Sequence, residues 1–443
     1  MTFTKQTTLA RLLRIAFPMV ISQASDSIML FVSRLFLSRL GEEYLSASMS
    51  GGLTQFMLSS FFIGTVGYVN ALVAQLYGAE RKEECAEATF QAVLLAAACY
   101  PLLLVISPLA RYLFLLSGQQ PVQIALGYEY FQTLVFGSIF LVLRFAVSGF
   151  FLGIGRTTAV MLANLTAMLI SIPANYVFIF GKLGFPAMGL RGAALGTISG
   201  NMIAFIILFT LFLRPGNRRE FNTHKCFRLN RRFIEILLRF GLPTGFEMFL
   251  NMSAFNIFLQ FMHSYGIHVA AAVTITFNWD IVAFIPMIGM SNAATALVGQ
   301  NIGAGDYEEA KHSTYVALRV AWIYSGSMML LFLFATRHLV GTFASGFDGN
   351  TRDIIVLASV MLRLASIYTL ADSAQLIFTG ALRGAGDTRW VMLMSVGLHW
   401  AFAVVSIFII RVVKADPVTV WIFFIGLIVC LGIAMFLRFR SGI

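Results

Sequence analysis

The fold is constrained above all by a series of twelve apolar stretches, each long enough to form a membrane-spanning helix. A helix needs about 20 mostly apolar residues to cross a bilayer. The chain is 58% hydrophobic and only 12% charged, whereas a soluble domain carries roughly 25% charged residues. Too few polar residues remain to cover a water-facing surface, so we predict an all-α membrane protein. The predicted spans are 12–38, 46–76, 88–116, 124–152, 158–180, 190–213, 233–263, 269–300, 312–337, 351–382, 389–412 and 417–437.

One long polar segment interrupts this series in the middle of the chain. Seven of the nineteen residues from Arg214 to Arg232 are Lys or Arg, and one is acidic. Basic loops favour the cytoplasmic side of a membrane, so we expect this segment there. We predict an N-terminal lobe of six helices over 1–213, a basic linker over 214–232 and a C-terminal lobe of six helices over 233–443. Six helices per lobe place both termini in the cytoplasm, in a multi-pass protein of the inner or plasma membrane.

The net charge of +11 would suggest a nucleic-acid partner in a soluble protein. In a membrane protein it fits basic loops that lie against anionic lipid, so we expect a bilayer and no nucleic acid. The four cysteines form no CxxC pair, which argues against a zinc site or a disulfide framework. No HExxH, GxSxG or Walker pattern occurs. We therefore expect neither an enzyme nor an ATP-driven pump, and no cofactor.

Two pairs of segments show that the halves of the chain are related. Leu72–Cys85 (LVAQLYGAERKEEC) and Leu297–Ala310 (LVGQNIGAGDYEEA) match at seven of fourteen positions with an offset of 225. Gly149–Leu162 and Gly380–Leu393 also match at seven of fourteen positions, with an offset of 231. Six helices per half then make two parallel repeats. Such lobes can enclose a cavity and expose it alternately to the two sides of the membrane.

These segments resemble the MATE (multidrug and toxic compound extrusion) family over essentially the whole chain. Phe178–Thr197 (FIFGKLGFPAMGLRGAALGT) resembles the family's loop between helices five and six, and Ala371–Thr388 (ADSAQLIFTGALRGAGDT) is the most specific segment. The resemblance implies a secondary transporter, expected as a monomer, that exports small cationic or amphipathic compounds by antiport with H⁺ or Na⁺. The alternative is a flippase or exporter of a lipid-linked or other amphipathic metabolite.

Several residues of these segments are predicted to have structural roles. Gly78, Gly303 and Gly384 should end long helices, because glycine allows tight turns and positive φ angles. Thr157 and Thr388 stand where a side-chain oxygen could cap the next helix.

Acidic residues inside the spans are candidates for ion coupling, because a charge at the bilayer centre costs roughly 2.5–3.5 kcal/mol on insertion scales. Apart from positions near the ends of the predicted spans, the acids inside them are Asp26, Glu247, Asp280 and Asp372. The resemblance implies a coupling aspartate at Asp372, in the pattern Asp372-x-x-Gln375. An ion pair between Asp372 and Arg363 is the structural alternative.

Glu247 and Asn251 lie one turn apart on one face of the predicted seventh helix. The resemblance places the family's glutamate at Asn251, so the carboxylate would have moved by one turn to Glu247. A role of Glu247 in coupling and a role as a polar residue of the substrate cavity without coupling both remain open. If the coupled ion is Na⁺, the expected ligands are Asp372 and Glu247. Asp280 follows Trp279, and this pair could attract a lipophilic cation by charge and cation–π contact, or it could be an anchor and a buried ion pair.

The N-terminal lobe departs from the family pattern. Ser33 stands where the family has an aspartate in its first helix, and Ser171 and Asn175 stand where it often has Asn and Asp. Asp26 lies seven residues before Ser33 on the same helix face, which makes it the candidate acid of this lobe.

Overall fold

The computed structural model describes residues 7–116, 121–344 and 351–442, and these residues form helices and loops without a β-strand. In the first half the helices are α1 (Thr8–Ser38), α2 (Glu42–Gly67), α3 (Val69–Gly78), α4 (Lys82–Ile106), α5 (Ala110–Leu116), α6 (Pro121–Gly153), α7 (Thr157–Phe180) and α8 (Gly189–Phe212). The rest are α9 (Pro215–Phe221), α10 (Arg231–His263), α11 (Ile267–Gly303), α12 (Tyr307–Phe334), α13 (Thr336–Ala344), α14 (Thr351–Gly384), α15 (Thr388–Phe408) and α16 (Pro417–Arg440).

In this part of the chain, eleven helical segments are long and apolar enough to cross a membrane. The remaining predicted span, 233–263, corresponds to α10, which has 33 residues but is interrupted by polar side chains such as Glu247 and Asn251. The predicted all-α membrane fold is confirmed. The third span of each half shows the repeat most clearly: the long helix α4 is followed by the short helix α5, and α12 is followed in the same way by α13.

Contacts between residues group the chain into two compact units. The N-terminal unit comprises Phe17–Phe249 and Gly299–Gly305. The C-terminal unit comprises Leu250–Val298, Asp306–Ile443 and the first residues up to Ala16, as far as they are described. Helices α1, α10 and α11 therefore each contribute residues to both units.

The two copies of the first repeat motif meet inside the N-terminal unit. As predicted, α3 ends at Gly78 and α11 ends at Gly303. A Cβ atom on Gly78 would lie 1.8 Å from the carbonyl oxygen of Gln300, and one on Gly303 would lie 1.9 Å from that of Gln75. Both positions therefore require glycine, because the two backbones touch. The Gln300 side chain also donates a 2.7 Å hydrogen bond to the carbonyl of Gly153, which joins this crossing to the end of α6.

Aromatic rings fill the core of the C-terminal unit around Phe424 of α16. The ring of Phe258 in α10 stacks on Phe424 with centroids 5.1 Å apart, and Tyr368 in α14 meets it edge-on at 5.8 Å. The neighbouring Trp421 is fully buried and donates its indole N–H to the carbonyl of Met361 at 3.1 Å. Helices α10, α14 and α16 are held together by these contacts.

The predicted threonine caps are wrong. The residues that precede α7 and α15 are Arg156 and Asp387, and neither makes a side-chain capping bond. Thr157 and Thr388 are the first helical residues and are buried. Asp387 instead accepts a 2.6 Å hydrogen bond from Arg438 of α16.

The basic segment between the halves is folded rather than only a connection. It begins with α9 and then lies against α4. Gln91 of α4 donates to the carbonyl of Arg228 at 2.8 Å, and Asn230 donates to Glu87 at 3.1 Å. This end of the segment is thus fixed to the N-terminal unit.

We expect Gly78→Ala to lower stability by about 3 kcal/mol, the upper end of what overpacking costs, because neither backbone can yield. The measurement is thermal unfolding of the purified protein. The control is Gly326→Ala in α12, where a Cβ would meet no atom within 4 Å. Equal melting temperatures for the two variants would contradict the proposed backbone contact.

Candidate ion and substrate site

A small cavity lies within the C-terminal unit between α11, α12 and α14. Four of its residues recur at helical spacing along one face of α11. The cavity is lined by Asp280, Ala283, Phe284 and Met287 of α11, Tyr324, Ser325 and Met328 of α12, and Thr369 and Asp372 of α14. The sequence therefore directs two acids and a largely apolar wall to one place inside the membrane-spanning bundle.

The structure brings Asp280 and Asp372 together in this cavity. The hydroxyl of Tyr368 donates a 2.8 Å hydrogen bond to Asp280, and Tyr368 lies one turn before Asp372 on α14. Among the described residues, no basic side chain lies within ion-pair distance of either acid. Arg363, the alternative partner of Asp372, has an exposed side chain.

Two carboxylates in one poorly solvated cavity repel each other when both are ionised. A proton or a small cation bound there removes this repulsion, so the site favours such an ion. The internal volume of about 10 Å³ is close to the room that one water molecule needs. In this conformation the cavity can therefore hold a proton, a water molecule or a small ion, but no drug-sized compound.

Two further candidates, Asn251 and Gln375, belong to the same unit. Asn251 in α10 donates a 2.9 Å hydrogen bond to Ser395 of α15. Gln375 is half-buried and follows Asp372 by three residues on α14. Trp279 has a different environment from Asp280: its indole donates to the carbonyl of Leu339 in α13 at 3.0 Å. Trp279 is not part of the cavity wall, so the combined charge and cation–π site is not formed in this conformation.

Glu247 is buried and belongs to the N-terminal unit, whereas Asn251, one turn later, belongs to the C-terminal unit. The candidate residues of α10 thus lie on either side of the point where this helix passes from one unit to the other. The described residues contain no cluster of three or more His, Cys, Asp or Glu side chains suited to a metal ion.

Asp26 lies in a separate polar network of the N-terminal unit. Its carboxylate accepts two hydrogen bonds from Arg144 of α6, at 2.9 and 3.2 Å. Arg144 also donates to Asn164 of α7 at 3.3 Å, and Asn164 donates to Ser22 at 2.7 Å. The side chain of Arg144 is only 8% exposed, so the negative charge of Asp26 is compensated inside the protein.

The offsets between the repeats relate this network to the candidates in the second half. At an offset of 225, Ser22 corresponds to Glu247 and Asp26 to Asn251. At an offset of 231, Arg144 corresponds to Gln375 and Asn164 to Ser395. The corresponding pair Asn251 and Ser395 is hydrogen-bonded, as given above. The two repeats therefore carry polar side chains at the same four places, but the arginine of the first repeat is a neutral glutamine in the second.

Ser33, Ser171 and Asn175, which replace the family's acids, are buried in the N-terminal unit. The hydroxyl of Ser33 and both amide atoms of Asn175 have no hydrogen-bond partner within the part of the chain that is described. This region holds uncharged polar groups.

Sequence reasoning missed Tyr368. Tyr368 lies four residues before Asp372, which places both on one face of α14. This spacing could have identified Tyr368 as a candidate partner of a carboxylate in the membrane. Nothing in the sequence indicates that its hydroxyl points to Asp280, which lies 88 residues earlier.

An acidic cavity within a bundle of membrane-spanning helices is typical of a multi-pass membrane transporter rather than an enzyme. The chain belongs to the MatE family, whose model matches residues 18–177 and 243–409. Each match covers one repeat and begins at Pro18 or at Pro243, which are separated by the offset of the first motif.

Known proteins resemble the chain over most of its length. The probable multidrug resistance protein NorM of Pseudomonas aeruginosa is 28% identical over 401 residues, which are 89% of this chain and 81% of that protein. The multidrug resistance protein MdtK of Yersinia pseudotuberculosis is 25% identical over 97% of this chain and 94% of its own length. A crystal structure of a MATE protein in complex with MaL6 has the same fold, with a TM-score of 0.88 at 18% identity over 99% of this chain and 96% of that one.

We expect Arg144→Gln to cost about 1.5–3 kcal/mol of stability, because it removes two charge-assisted hydrogen bonds to the half-buried carboxylate of Asp26. The folded variant then gains a proton or a cation at Asp26 that the unfolded chain binds less well. Its stability should rise as the pH falls or as Na⁺ is added. The measurement is the melting temperature over a series of pH values and of NaCl against choline chloride.

The matched controls are Arg144→Lys, which keeps the positive charge, and Arg144→Gln combined with Asp26→Asn, which removes both charges. Neither should show more pH or Na⁺ dependence than the wild type. A loss of stability in Arg144→Gln that is independent of both pH and Na⁺ would argue against charge compensation as the role of Arg144.

Proposed function

We propose that this chain is a secondary multidrug efflux transporter that exports lipophilic cations by antiport with H⁺ or Na⁺. The observation that carries the proposal is the pair Asp280 and Asp372 in one membrane-embedded cavity without a described basic partner. The multidrug resistance names of its relatives NorM and MdtK support the substrate class. Apolar and sulfur-containing side chains in the cavity wall, such as Phe284 and Met287, suit substrates of varied shape.

Exchange follows from the charges of the cavity. An inward-moving H⁺ or Na⁺ neutralises one negative charge of Asp280 and Asp372, and a cationic substrate does the same. Because the two cations compete for the same carboxylates, binding of one weakens binding of the other by the same factor. The ion gradient can then drive release of the substrate on the opposite side of the membrane.

The other candidate residues have supporting roles in this proposal. Asn251 and Gln375 offer neutral oxygens in the C-terminal unit, and Glu247 together with Asp372 would supply carboxylate oxygens if the ion is Na⁺. Asp26 balances the charge of Arg144, as its two hydrogen bonds indicate. We therefore assign the exchange of ion and substrate to Asp372 and Asp280.

The transport cycle requires the cavity to open. We propose that the lobes 1–213 and 233–443 move against each other, with the linker 214–232 and both termini on the cytoplasmic side of the inner or plasma membrane. The conformation with the small cavity described above would then be the one that binds the ion. The substrate would bind in a conformation with a wider cavity. A single chain contains both lobes, so a monomer suffices.

The test uses proteoliposomes loaded with a fluorescent lipophilic cation, with a proton gradient or a sodium gradient imposed separately. We expect gradient-driven efflux from the wild type and at least a tenfold loss in Asp372→Asn, because the amide cannot exchange a charge. Tyr368→Phe should raise the apparent affinity for the coupled cation roughly threefold to tenfold, since it removes a hydrogen bond that stabilises the free carboxylate of Asp280.

The matched control is Asp353→Asn, which changes an exposed acid in the first turn of the same helix α14 and should transport normally. Efflux in Asp372→Asn at the wild-type rate would disprove the role of Asp372. Several lipophilic cations should be tested. If the wild type transports none of them under either gradient, the efflux proposal fails, and transport of a lipid-linked or other amphipathic metabolite becomes the better explanation.

A further inference from the structure

A second cavity lies in the N-terminal unit, where three membrane spans end next to the basic segment. Its volume is about 440 Å³, which falls within the range of roughly 300–1,000 Å³ that is usual for ligand sites. The walls come from the last turns of α6 and α8, the beginning of α7, and α9. The side chains that matter here are Phe151, Arg156, Ala159, Leu211, Arg214 and Asn217.

One wall presents an arginine that is held in place. Arg156 donates to the side-chain oxygen of Asn217 at 2.9 Å and to Glu220 at 2.5 Å. Asn217 is itself buried and donates to the carbonyl of Leu211 at 2.8 Å. A guanidinium has five N–H donors, and these bonds orient Arg156 while leaving donors available to a ligand.

The cavity has an excess of positive charge. Glu220, the nearby acid, is shared between Arg156 and Lys82, which lies 3.4 Å away. Burial by itself would raise the pKa of Glu220, but the hydrogen bonds and charges of Arg156 and Lys82 outweigh it and lower this pKa. Arg214 is exposed, and no acid of the described chain lies within ion-pair distance of it. Its charge is therefore available to an anion.

The cavity also has apolar lining residues. These are Phe151, Ala159 and Leu211, all at the ends of membrane spans. Leu162 lies about one turn further along α7 from Ala159 and is exposed. A ligand in this cavity can thus touch both arginine side chains and apolar surface.

We propose that this cavity binds an anionic phospholipid, with the phosphate at Arg214 and Arg156 and the first part of an acyl chain along Phe151, Ala159 and Leu211. Guanidinium groups match phosphate oxygens in geometry as well as in charge. Basic pockets between membrane helices at the aqueous boundary are suited to lipid head groups. A free phosphate would leave the apolar wall unused. The proposal depends neither on the transported substrate nor on the coupled ion.

The test is native mass spectrometry of the purified full chain with phosphatidylglycerol or with phosphatidylcholine of the same acyl chains. We expect the wild type to retain one phosphatidylglycerol molecule more tightly than phosphatidylcholine. Arg214→Gln should weaken retention of phosphatidylglycerol roughly fivefold, the effect of one basic residue near an anionic head group. The matched control is Arg219→Gln, which removes an exposed arginine of the short helix α9 that directly follows Arg214; this arginine does not line the cavity.

A second variant, Ala159→Trp, fills the apolar wall and should also weaken retention while leaving both arginines in place. Equal retention of the two lipids would overturn the proposal. So would an equal loss in Arg219→Gln and Arg214→Gln, because it would show diffuse attraction to a basic surface. Full displacement of the lipid by millimolar inorganic phosphate, together with no effect of Ala159→Trp, would indicate a free-anion site and would overturn the lipid assignment as well.

Discussion

The crossing of α3 and α11, where Gly78 meets the backbone of Gln300 and Gly303 meets that of Gln75, is the constraint on which the placement of the candidate site depends. It allows the last residues of α11 to pack within the N-terminal unit, against α3, while the earlier turns of the same helix line the acidic cavity of the C-terminal unit. Asp280 is therefore carried by a helix whose far end is anchored by a contact between main chains. Main-chain atoms cannot change rotamer to relieve a clash, so the position of this end is more narrowly determined than a contact between side chains would make it.

The two units meet the cost of buried charge in different ways. Asp26 has a guanidinium partner supplied by the protein, and that partner is itself held by Asn164. Within the described residues, Asp280 accepts a hydrogen bond only from the neutral hydroxyl of Tyr368, which the ring of Phe424 contacts from the aromatic core. A neutral donor stabilises a carboxylate without cancelling its charge, so a mobile cation still has a reason to bind. The aromatic core thus contributes to the chemistry of the cavity as well as to the packing of the unit.

Much of the fold could be predicted from the sequence, because apolar stretches and glycine-containing turns are local signals. The predicted span 158–180 differs by one residue at its start from Thr157–Phe180, and 190–213 differs by one residue at each end from Gly189–Phe212. The folding of 214–232 onto α4 was not predicted, since its hydrogen bonds join residues far apart in the chain. For the same reason the acids were found but not their partners: Arg144 and Asp26 are 118 residues apart. The prediction of threonine caps was wrong because the sequence does not define the start of a helix to within one residue, and a shift of one residue changes which side chain precedes the helix.

The correspondence of Arg144 with Gln375 bears on how a duplicated protein acquires its ion stoichiometry. An arginine in a carboxylate site acts as a permanently bound cation, since it occupies the place that an ion would take and cannot dissociate. In this chain one repeat carries such a residue and the other carries an amide of similar reach at the same place. In the ion exchange proposed above, a substitution at this single position would change the number of ions exchanged per cycle, while the fold and the crossing of the two repeats stayed the same.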